Sequence, residues 1–229
     1  MGWAPASEDG HYDNNFVEWL NATGRAGTDG TGGLDSDPRT RRVYAGAAAL
    51  DTEGKRVAYM HCKVPGRQTV PRAELTALIR TLRCIRTVRR WTIYIDAQYV
   101  INGISTDDKS YYLLGRNGDL WQEVFDEIEK LTGEGSHDVN FVKVKSHVKT
   151  QAVWDQYNMT EEMYVYNELA DAAAEIASNK YTKFSTLKQD SDSKHEVEKI
   201  ARRIAAIEVS TWKEEADFSK YHGKSFDKL

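Results

Sequence analysis

Four acidic residues of this chain lie where predicted strands or helices begin or end. Asp29 and Asp96 each end a predicted strand, and Glu74 and Asp171 each lie in the first turn of a predicted helix. Strand ends and helix starts gather into one cleft of an α/β sheet, so we expect the four carboxylates to meet there. Taken singly, an acidic residue in such a position is also typical of a turn or of an ordinary helix start.

Carboxylates that lie close together repel one another, and a divalent cation removes this repulsion. An all-oxygen set of ligands suits Mg²⁺ or Mn²⁺, and the sequence contains no cysteine–histidine spacing typical of zinc sites. Two such ions about 4 Å apart can activate a water molecule and stabilise a leaving oxygen in phosphodiester hydrolysis. Metal-dependent cleavage of a nucleic acid is therefore the chemistry that these four residues indicate.

The elements that must position these acids follow from hydrophobic periodicity. Apolar runs predict strands, the segment DTEG predicts a hairpin turn, and apolar residues at helical spacing predict helices. Thr69 precedes Pro71 as a possible helix cap, and Asn167 is expected to cap the last helix of the domain, which runs to about Lys180. The order of elements predicts an α/β fold with a mixed five-stranded sheet flanked by helices. The strand before Asp29 is the least apolar of the five.

Composition limits the class of protein. The chain has 229 residues, a formal net charge of −4 and two cysteines. Two cysteines in apolar segments favour a reducing compartment, so we expect an intracellular protein, cytoplasmic or nuclear. No apolar run approaches the ~18 residues of a membrane span, and we expect neither a signal peptide nor a membrane partner. Proteins held on nucleic acid by bulk charge are usually basic, so binding here would depend on local patches or metal ions.

Five segments, taken together and in order, resemble the type 1 ribonuclease H family. They are TDGTGG at 28–33, PRAELTAL at 71–78, YIDAQYV at 94–100, VKVKSHV at 142–148 and NELADAAAEIA at 167–177. The interval of 22 residues from Glu74 to Asp96 also matches the family. The resemblance covers roughly residues 25–180. A domain of this family with such appendages also occurs in retroelement polyproteins, so we include a retroelement-type domain in the hypothesis.

The resemblance implies a ribonuclease H-like fold and endonucleolytic hydrolysis of the RNA strand of an RNA–DNA hybrid by two metal ions. By motif, Asp29, Glu74, Asp96 and Asp171 correspond to the metal-binding acids of the family. The implied cofactor is Mg²⁺, two ions, with Mn²⁺ as an alternative. The hybrid is the expected partner, because its wide, shallow minor groove presents the 2′-hydroxyls of the RNA without a need to read the sequence.

Further residues match positions of the family outside the metal site. His147 corresponds to a mobile histidine that helps the product leave, so we count it as a catalytic residue. Thr69, Gln98 and Asn167 correspond to positions that contact or approach the nucleic acid. Arg72 is a basic position of the motif itself, and we include it in the predicted nucleic-acid-binding set.

The sequence departs from the family in two segments. Residues 105–119 are not strongly basic, although many members carry a basic handle there, and only Lys109 and Arg116 could serve. Residues 149–166 are longer than is usual and rich in aromatic side chains, so we interpret them as a lid, a docking surface for a protein, or a plain loop insertion.

We predict three parts of the chain: a polar N-terminal extension at 1–24, a ribonuclease H-like catalytic domain at 25–182, and a linker with a C-terminal helical extension at 183–229. In the last part, His195–Glu215 is predicted to be an amphipathic helix, which could pack on the domain or bind a protein partner. Two other functions stay open. One is a catalytically weak ribonuclease H-like domain that binds or tethers nucleic acid in a larger assembly, and the other is an exonuclease or resolvase of the same broad fold.

Overall fold

A computed structural model describes residues 10–13, 15–33, 41–87, 90–133, 138–146, 148, 150–182, 192–193 and 195–211. The chain divides into two compact units, Met1–Lys183 and Phe184–Leu229. In the second unit, residues 195–211 are helical, in agreement with the predicted C-terminal helix. The last four residues of that predicted helix lie outside the described residues.

The first unit is built on a mixed sheet of six strands. The strands are β1 (Gly10–Tyr12), β2 (Arg25–Thr31), β3 (Tyr44–Leu50), β4 (Val57–Lys63), β5 (Arg90–Ile95) and β6 (Asp138–Lys143). Their order across the sheet is β1-β4-β3-β2-β5-β6. Strand β5 runs parallel to both β2 and β6, and the other pairs are antiparallel. The parallel centre of the sheet therefore joins the two strands that carry Asp29 and Asp96.

Seven helices are described in the first unit. They are α1 (Phe16–Thr23), α2 (Val70–Leu82), α3 (Gln98–Ile104), α4 (Ser110–Leu113), α5 (Gly118–Gly133), α6 (Gln151–Gln156) and α7 (Glu161–Tyr181). Helix α2 begins where Pro71 favours it, and residues 52–54 form the predicted turn of the β3–β4 hairpin. None of the helices in the described part of the chain is long and apolar enough to cross a membrane.

The prediction of an α/β fold with a mixed sheet is confirmed, but the predicted number of five strands is wrong. The additional strand, β1, and helix α1 both lie in the segment predicted as a polar extension. Phe16 and Leu20 of α1 are fully buried in the hydrophobic core, and β1 pairs with β4 along the edge of the sheet. The mostly polar composition of the segment predicts an extension, although the segment contains a short helix that packs against the sheet.

Two glycines allow helices to lie directly against the central strands. A Cβ atom at Gly30 of β2 would lie 2.6 Å from the backbone nitrogen of Glu74, and one at Gly46 of β3 would lie 2.2 Å from the backbone nitrogen of Ala174. Real Cβ atoms do not tolerate such distances. Helices α2 and α7 therefore approach the sheet closely, each over a position without a side chain.

The predicted start of the last helix is wrong. Helix α7 begins at Glu161, and Thr160 caps it by accepting a hydrogen bond of 3.2 Å from the backbone N–H of Met163. Asn167 and Asp171 consequently lie inside the helix and not at its cap and first turn. Within 149–166, residues 151–156 and 161–166 are helical, so the plain loop insertion does not describe this segment.

Candidate active site

Three of the four predicted acids come together at the centre of the sheet. One carboxylate oxygen each from Asp29, Glu74 and Asp96 lies within 4.8 Å of the other two. Glu74 is buried, at 6% exposure, and the two aspartates are half-buried. At this separation the three carboxylates, which come from three different segments of the chain, could bind one metal ion together.

Each acid reaches this point through a different element. Asp29 lies in β2, Asp96 directly follows the neighbouring parallel strand β5, and Glu74 lies in the first half of α2. In the parallel pairing of β2 with β5, Thr28 lies opposite Ile95, so Asp29 and Asp96 lie at the same level of the sheet. The close approach of α2 over Gly30 brings Glu74 to the same place.

Asp171 lies beside this cluster on α7. Its charge raises the pKa of Asp29, so the two carboxylates interact across the interface between α7 and β2. Because α7 lies against Gly46, which is the register partner of Asp29 on β3, the helix can bring Asp171 near Asp29 although Asp171 is far from the helix start. Because Asp171 lies in the middle of α7, the partial positive charge of the helix N-terminus does not stabilise its carboxylate.

Burial and mutual repulsion make the cluster difficult to ionise. Burial, reinforced by the charge of Asp96 and then of Asp171, raises the pKa of Asp29 to about 7, while a hydrogen bond of 2.7 Å from the backbone N–H of Gly30 acts in the opposite direction. Burial raises the pKa of Glu74 well above its usual value, and the charges of Asp29 and Asp96 add to this. Without a cation, Asp29 is therefore about half protonated near pH 7, and Glu74 is costly to ionise.

The donor set fits a divalent metal ion with a preference for oxygen. All of the groups are carboxylates, and the Oε2 atom of Glu74 is buried without a hydrogen-bond partner in the described structure. A buried oxygen without a partner is costly, and a bound cation would satisfy it. Mg²⁺ and Mn²⁺ match these oxygen donors better than metals that prefer sulfur or nitrogen.

The predicted nucleic-acid-binding residues lie in different environments. Thr69 and Gln98 are exposed, and the Gln98 amide donates a hydrogen bond of 2.8 Å to Asn102. Thr69 precedes α2 as predicted, but its side chain makes no cap hydrogen bond. Asn167 is buried within α7, at 8% exposure. His147 lies outside the described residues, and its role stays a prediction.

Arg72 has a clear structural contact. Its side chain is buried, and its guanidinium makes two hydrogen bonds to Asp119, of 2.8 and 2.6 Å. It also donates to the carbonyl of Pro65. The two hydrogen bonds to Asp119 join the start of α2 to the start of α5. They therefore help to fix the position of the helix that contains Glu74. A direct contact between Arg72 and nucleic acid stays a prediction.

Two residues beside the acids were not found by sequence reasoning. Tyr99 of α3 donates a hydrogen bond to the carbonyl of Pro71, and burial, with the charges of Glu74 and Asp96, raises its pKa. Lys143 at the end of β6 lies within electrostatic range of Asp96. The alternation VKVK predicts that the lysines and the valines face opposite sides of the sheet. Only the pairing of β6 with β5 shows that Lys143 lies beside Ile95, the residue before Asp96.

Comparison with solved structures found several proteins to which this chain is similar. The structure of LC9-RNase H1, a type 1 RNase H with the type 2 active-site motif, is 19% identical with a TM-score of 0.49, over 70% of this chain and 74% of that chain. RNase H1 of the halophilic archaeon Halobacterium salinarum NRC-1 is 22% identical with a TM-score of 0.43, over 68% of this chain and 97% of that chain. The protease-reverse transcriptase of Prototype Foamy Virus is 15% identical with a TM-score of 0.46, over 80% of this chain and 22% of that chain.

The similarity to these structures is too low to assign a family, and no match was found among curated protein sequences. The family assignment comes from a sequence match to the RNase H family model over residues 28–179, which is more than half of the chain. That range contains all four acids of the site. The chain therefore belongs to the RNase H family.

Proposed function

We propose that this protein is an endonuclease that hydrolyses the RNA strand of RNA–DNA hybrids with two divalent metal ions, Mg²⁺ or Mn²⁺. The observation that carries the proposal is the meeting of Asp29, Glu74 and Asp96 within 4.8 Å at a partly buried point of an RNase H family domain. Asp171 is the fourth ligand in this proposal, because its charge already acts on Asp29.

The strands and helices of the domain hold the acids in fixed positions around the proposed metal site. Asp29, Glu74, Asp96 and Asp171 would hold the ions, which would activate a water molecule and neutralise charge at the leaving oxygen. The chain contributes the geometry: β2 and β5 hold two carboxylates at one level, and α2 adds a third from a buried position that cannot shift without disturbing the core. Preorganised charge of this kind costs no reorganisation when the reaction occurs.

A cavity lined partly by Tyr99 is the proposed binding place for a segment of the substrate. It has a volume of about 610 Å³, and its lining includes Pro71, Tyr99, Tyr112, Arg116 and Trp121. Tyr99 connects this cavity to Glu74 and Asp96, whose charges act on it. Aromatic faces stack on sugars and bases without reading sequence, and Arg116 can contact a phosphate.

The aromatic lining also offers a reason for the weakly basic segment at 105–119. Of its two basic residues, Lys109 places its ammonium 4.7 Å from the centre of the Phe125 ring. Tyr111 is 79% exposed and Tyr112 contacts Trp121 at 4.7 Å between ring centres. We infer that stacking replaces part of the electrostatic attraction that a basic handle provides in other members of the family.

The decisive experiment compares four substrates labelled on one strand at a time: an RNA–DNA hybrid, duplex RNA, single-stranded RNA and duplex DNA, with Mg²⁺ or Mn²⁺. We expect internal cuts in the RNA strand of the hybrid alone, and loss of at least about 100-fold in rate for Asp96→Asn. Glu53→Gln, which changes an exposed acid in the β3–β4 turn, is the matched control.

Three results would contradict the proposal in different ways. Binding of the hybrid without cleavage would favour a tethering domain, and cleavage only from strand ends would favour an exonuclease. Cleavage that survives Asp96→Asn would show that the acid cluster is not the active site.

A further inference from the structure

Lys143 lies at the last position of β6, beside the strand end that carries Asp96. It is the register partner of Ile95, and the backbone N–H of Val144 donates a hydrogen bond of 2.9 Å to the carbonyl of Ile95. The end of β6 is therefore fixed against the residue that precedes Asp96. The position of the Lys143 backbone relative to the acid cluster follows from the sheet and not from a loop.

The ammonium group of Lys143 has unused hydrogen-bonding capacity. It donates to the carbonyl of Val144, and an ammonium group carries three N–H donors. Among the described residues, Lys143 takes part in no ion pair with a carboxylate. Its side chain is half-buried, so it is neither a fully solvated surface lysine nor a paired one.

The charges around Lys143 favour an anion as its partner. Burial lowers the pKa of Lys143, Asp96 raises it, and Lys145 lowers it, so all three charges lie within electrostatic range. A positive charge beside a site for divalent cations weakens cation binding by repulsion. The arrangement becomes favourable when an anionic group lies between the lysine and the cations, as a phosphate of a bound nucleic acid would.

We propose that Lys143 binds a backbone phosphate of the hybrid next to the bond that is cut. This inference rests on the proposed function for the identity of the nucleic acid. The ammonium binds the phosphate from the β6 side of Asp96, because β6 pairs with the strand that Asp96 follows. Lys143 then acts as a substrate-positioning residue beyond the four acids and the aromatic cavity.

The first test measures binding of a fluorescently labelled hybrid by anisotropy, in EDTA to prevent metal-dependent cleavage, as a function of salt. We expect Lys143→Met to weaken binding about 3- to 10-fold at low salt and to reduce the slope of log K against log salt by about 1, because one phosphate contact is lost. Lys143→Arg should keep most of the affinity and the slope. Lys55→Met makes the same charge change in the β3–β4 turn, where Lys55 pairs with Glu53, and should leave both unchanged.

The second test measures Mn²⁺ binding without nucleic acid. Removing the repulsive charge in Lys143→Met should tighten Mn²⁺ binding on the order of two- to five-fold, whereas Lys55→Met should not change it. Tighter metal binding combined with weaker hybrid binding is a signature that damage to the fold would not produce.

The inference is overturned if Lys143→Met binds the hybrid with the affinity and salt slope of the parent protein, or if its Mn²⁺ binding is unchanged or weaker. Neither test depends on cleavage. A parent protein that binds the hybrid and shows the Lys143 effects but cuts no RNA would refute the proposed activity and support the phosphate contact. A parent protein that binds no hybrid would overturn both.

Discussion

Burial and neighbouring carboxylates make Asp29 and Glu74 costly to ionise. The pKa of Asp29 reaches about 7 mainly because of burial and then because of Asp96. Burial, and then the charges of Asp29 and Asp96, raise the pKa of Glu74 well above its usual value. These shifts oppose the usual behaviour of surface carboxylates. Carboxylates with raised pKa values in a cleft are typical of functional sites. The shifts are therefore consistent with a cluster that is stable in its ionised form when it binds a cation.

The raised pKa of Asp29 predicts that metal binding releases protons. At about pH 6 Asp29 is mostly protonated in the metal-free protein, so Mn²⁺ binding should release roughly one proton or more, and fewer at about pH 8. Calorimetry in buffers of different ionisation enthalpy measures this release. Asp29→Asn should reduce it, and a heat of binding that does not depend on the buffer at about pH 6 would contradict the assignment.

The same shift has a consequence for stability. The pKa of Asp29 in the folded, metal-free protein lies above its usual value of 3.8. The contribution of Asp29 to the free energy of unfolding is therefore fully present below about pH 4 and is lost as the pH rises through about 7. We expect the melting temperature in EDTA to fall over this interval and a saturating divalent metal to reduce the fall. A melting temperature in EDTA that rises steadily from about pH 4 to 7 would show that other groups dominate.

At the scale of the elements, the site depends on how closely α7 approaches the sheet. Gly46→Ala would place a Cβ atom 2.2 Å from the backbone of α7, so the helix must move away and take Asp171 with it. We expect a loss of about 1–3 kcal/mol of unfolding free energy, or roughly 2–10 °C in melting temperature, and slower cleavage of the hybrid.

Gly32→Ala is the matched control for this prediction, because its Cβ atom would meet only Val70 at 3.5 Å, an ordinary contact. Thermal melting of both variants beside the parent protein checks the prediction. If Gly46→Ala melted with the parent protein, close packing of α7 over β3 would not be what positions Asp171.

Sequence periodicity predicts the elements with apolar runs better than those built on close packing. Strand β5 is recognisable from its buried residues, and Asp96 with it, whereas β2 is hard to recognise because glycines stand where apolar side chains are expected. The missing side chains of Gly30 and Gly46 are what allow helices to approach, and a single sequence does not show which helix fills the space.

The start of α7 shows a second limit. Asn167 has the residue type of a helix cap and precedes a helical pattern, so local chemistry favours a start there. Thr160 supplies the actual cap, two turns earlier, and the intervening residues contribute Tyr166 to a small apolar cluster with Tyr94. Both assignments satisfy the local rules, and the packing of Tyr166 on Tyr94, with ring centres 5.1 Å apart, is the tertiary contact that favours the earlier start.

At the scale of the whole molecule, the two ends of the chain should differ in their effect on folding. Phe16 and Leu20 are fully buried in the core of the first unit, whereas residues 184–229 form a separate compact unit. A chain of residues 1–183 should keep a cooperative unfolding transition within about 2–4 °C of the full chain, a difference of about 1 kcal/mol or less.

A chain that lacks residues 1–24 loses both buried side chains, each of which contributes about 2–5 kcal/mol, and should not fold stably. Circular dichroism melts of the two shortened chains separate these outcomes. If the chain of residues 25–229 folded as well as the full chain, the domain boundary predicted from composition would be right and the structural role of α1 would be minor.

The metal site can be tested through the melting temperatures of the parent protein and of Glu74→Gln, each measured in EDTA and in Mn²⁺. In EDTA at about pH 8, folding must either protonate Glu74 or bury its charge beside Asp29 and Asp96. Glu74→Gln avoids this cost, so it should melt higher than the parent protein by about 2–4 °C, or about 1 kcal/mol. Mn²⁺ should raise the melting temperature of the parent protein strongly and that of the variant much less. A parent protein that does not respond to Mn²⁺, or a variant that melts lower in EDTA, would contradict the claim that these acids form a metal site.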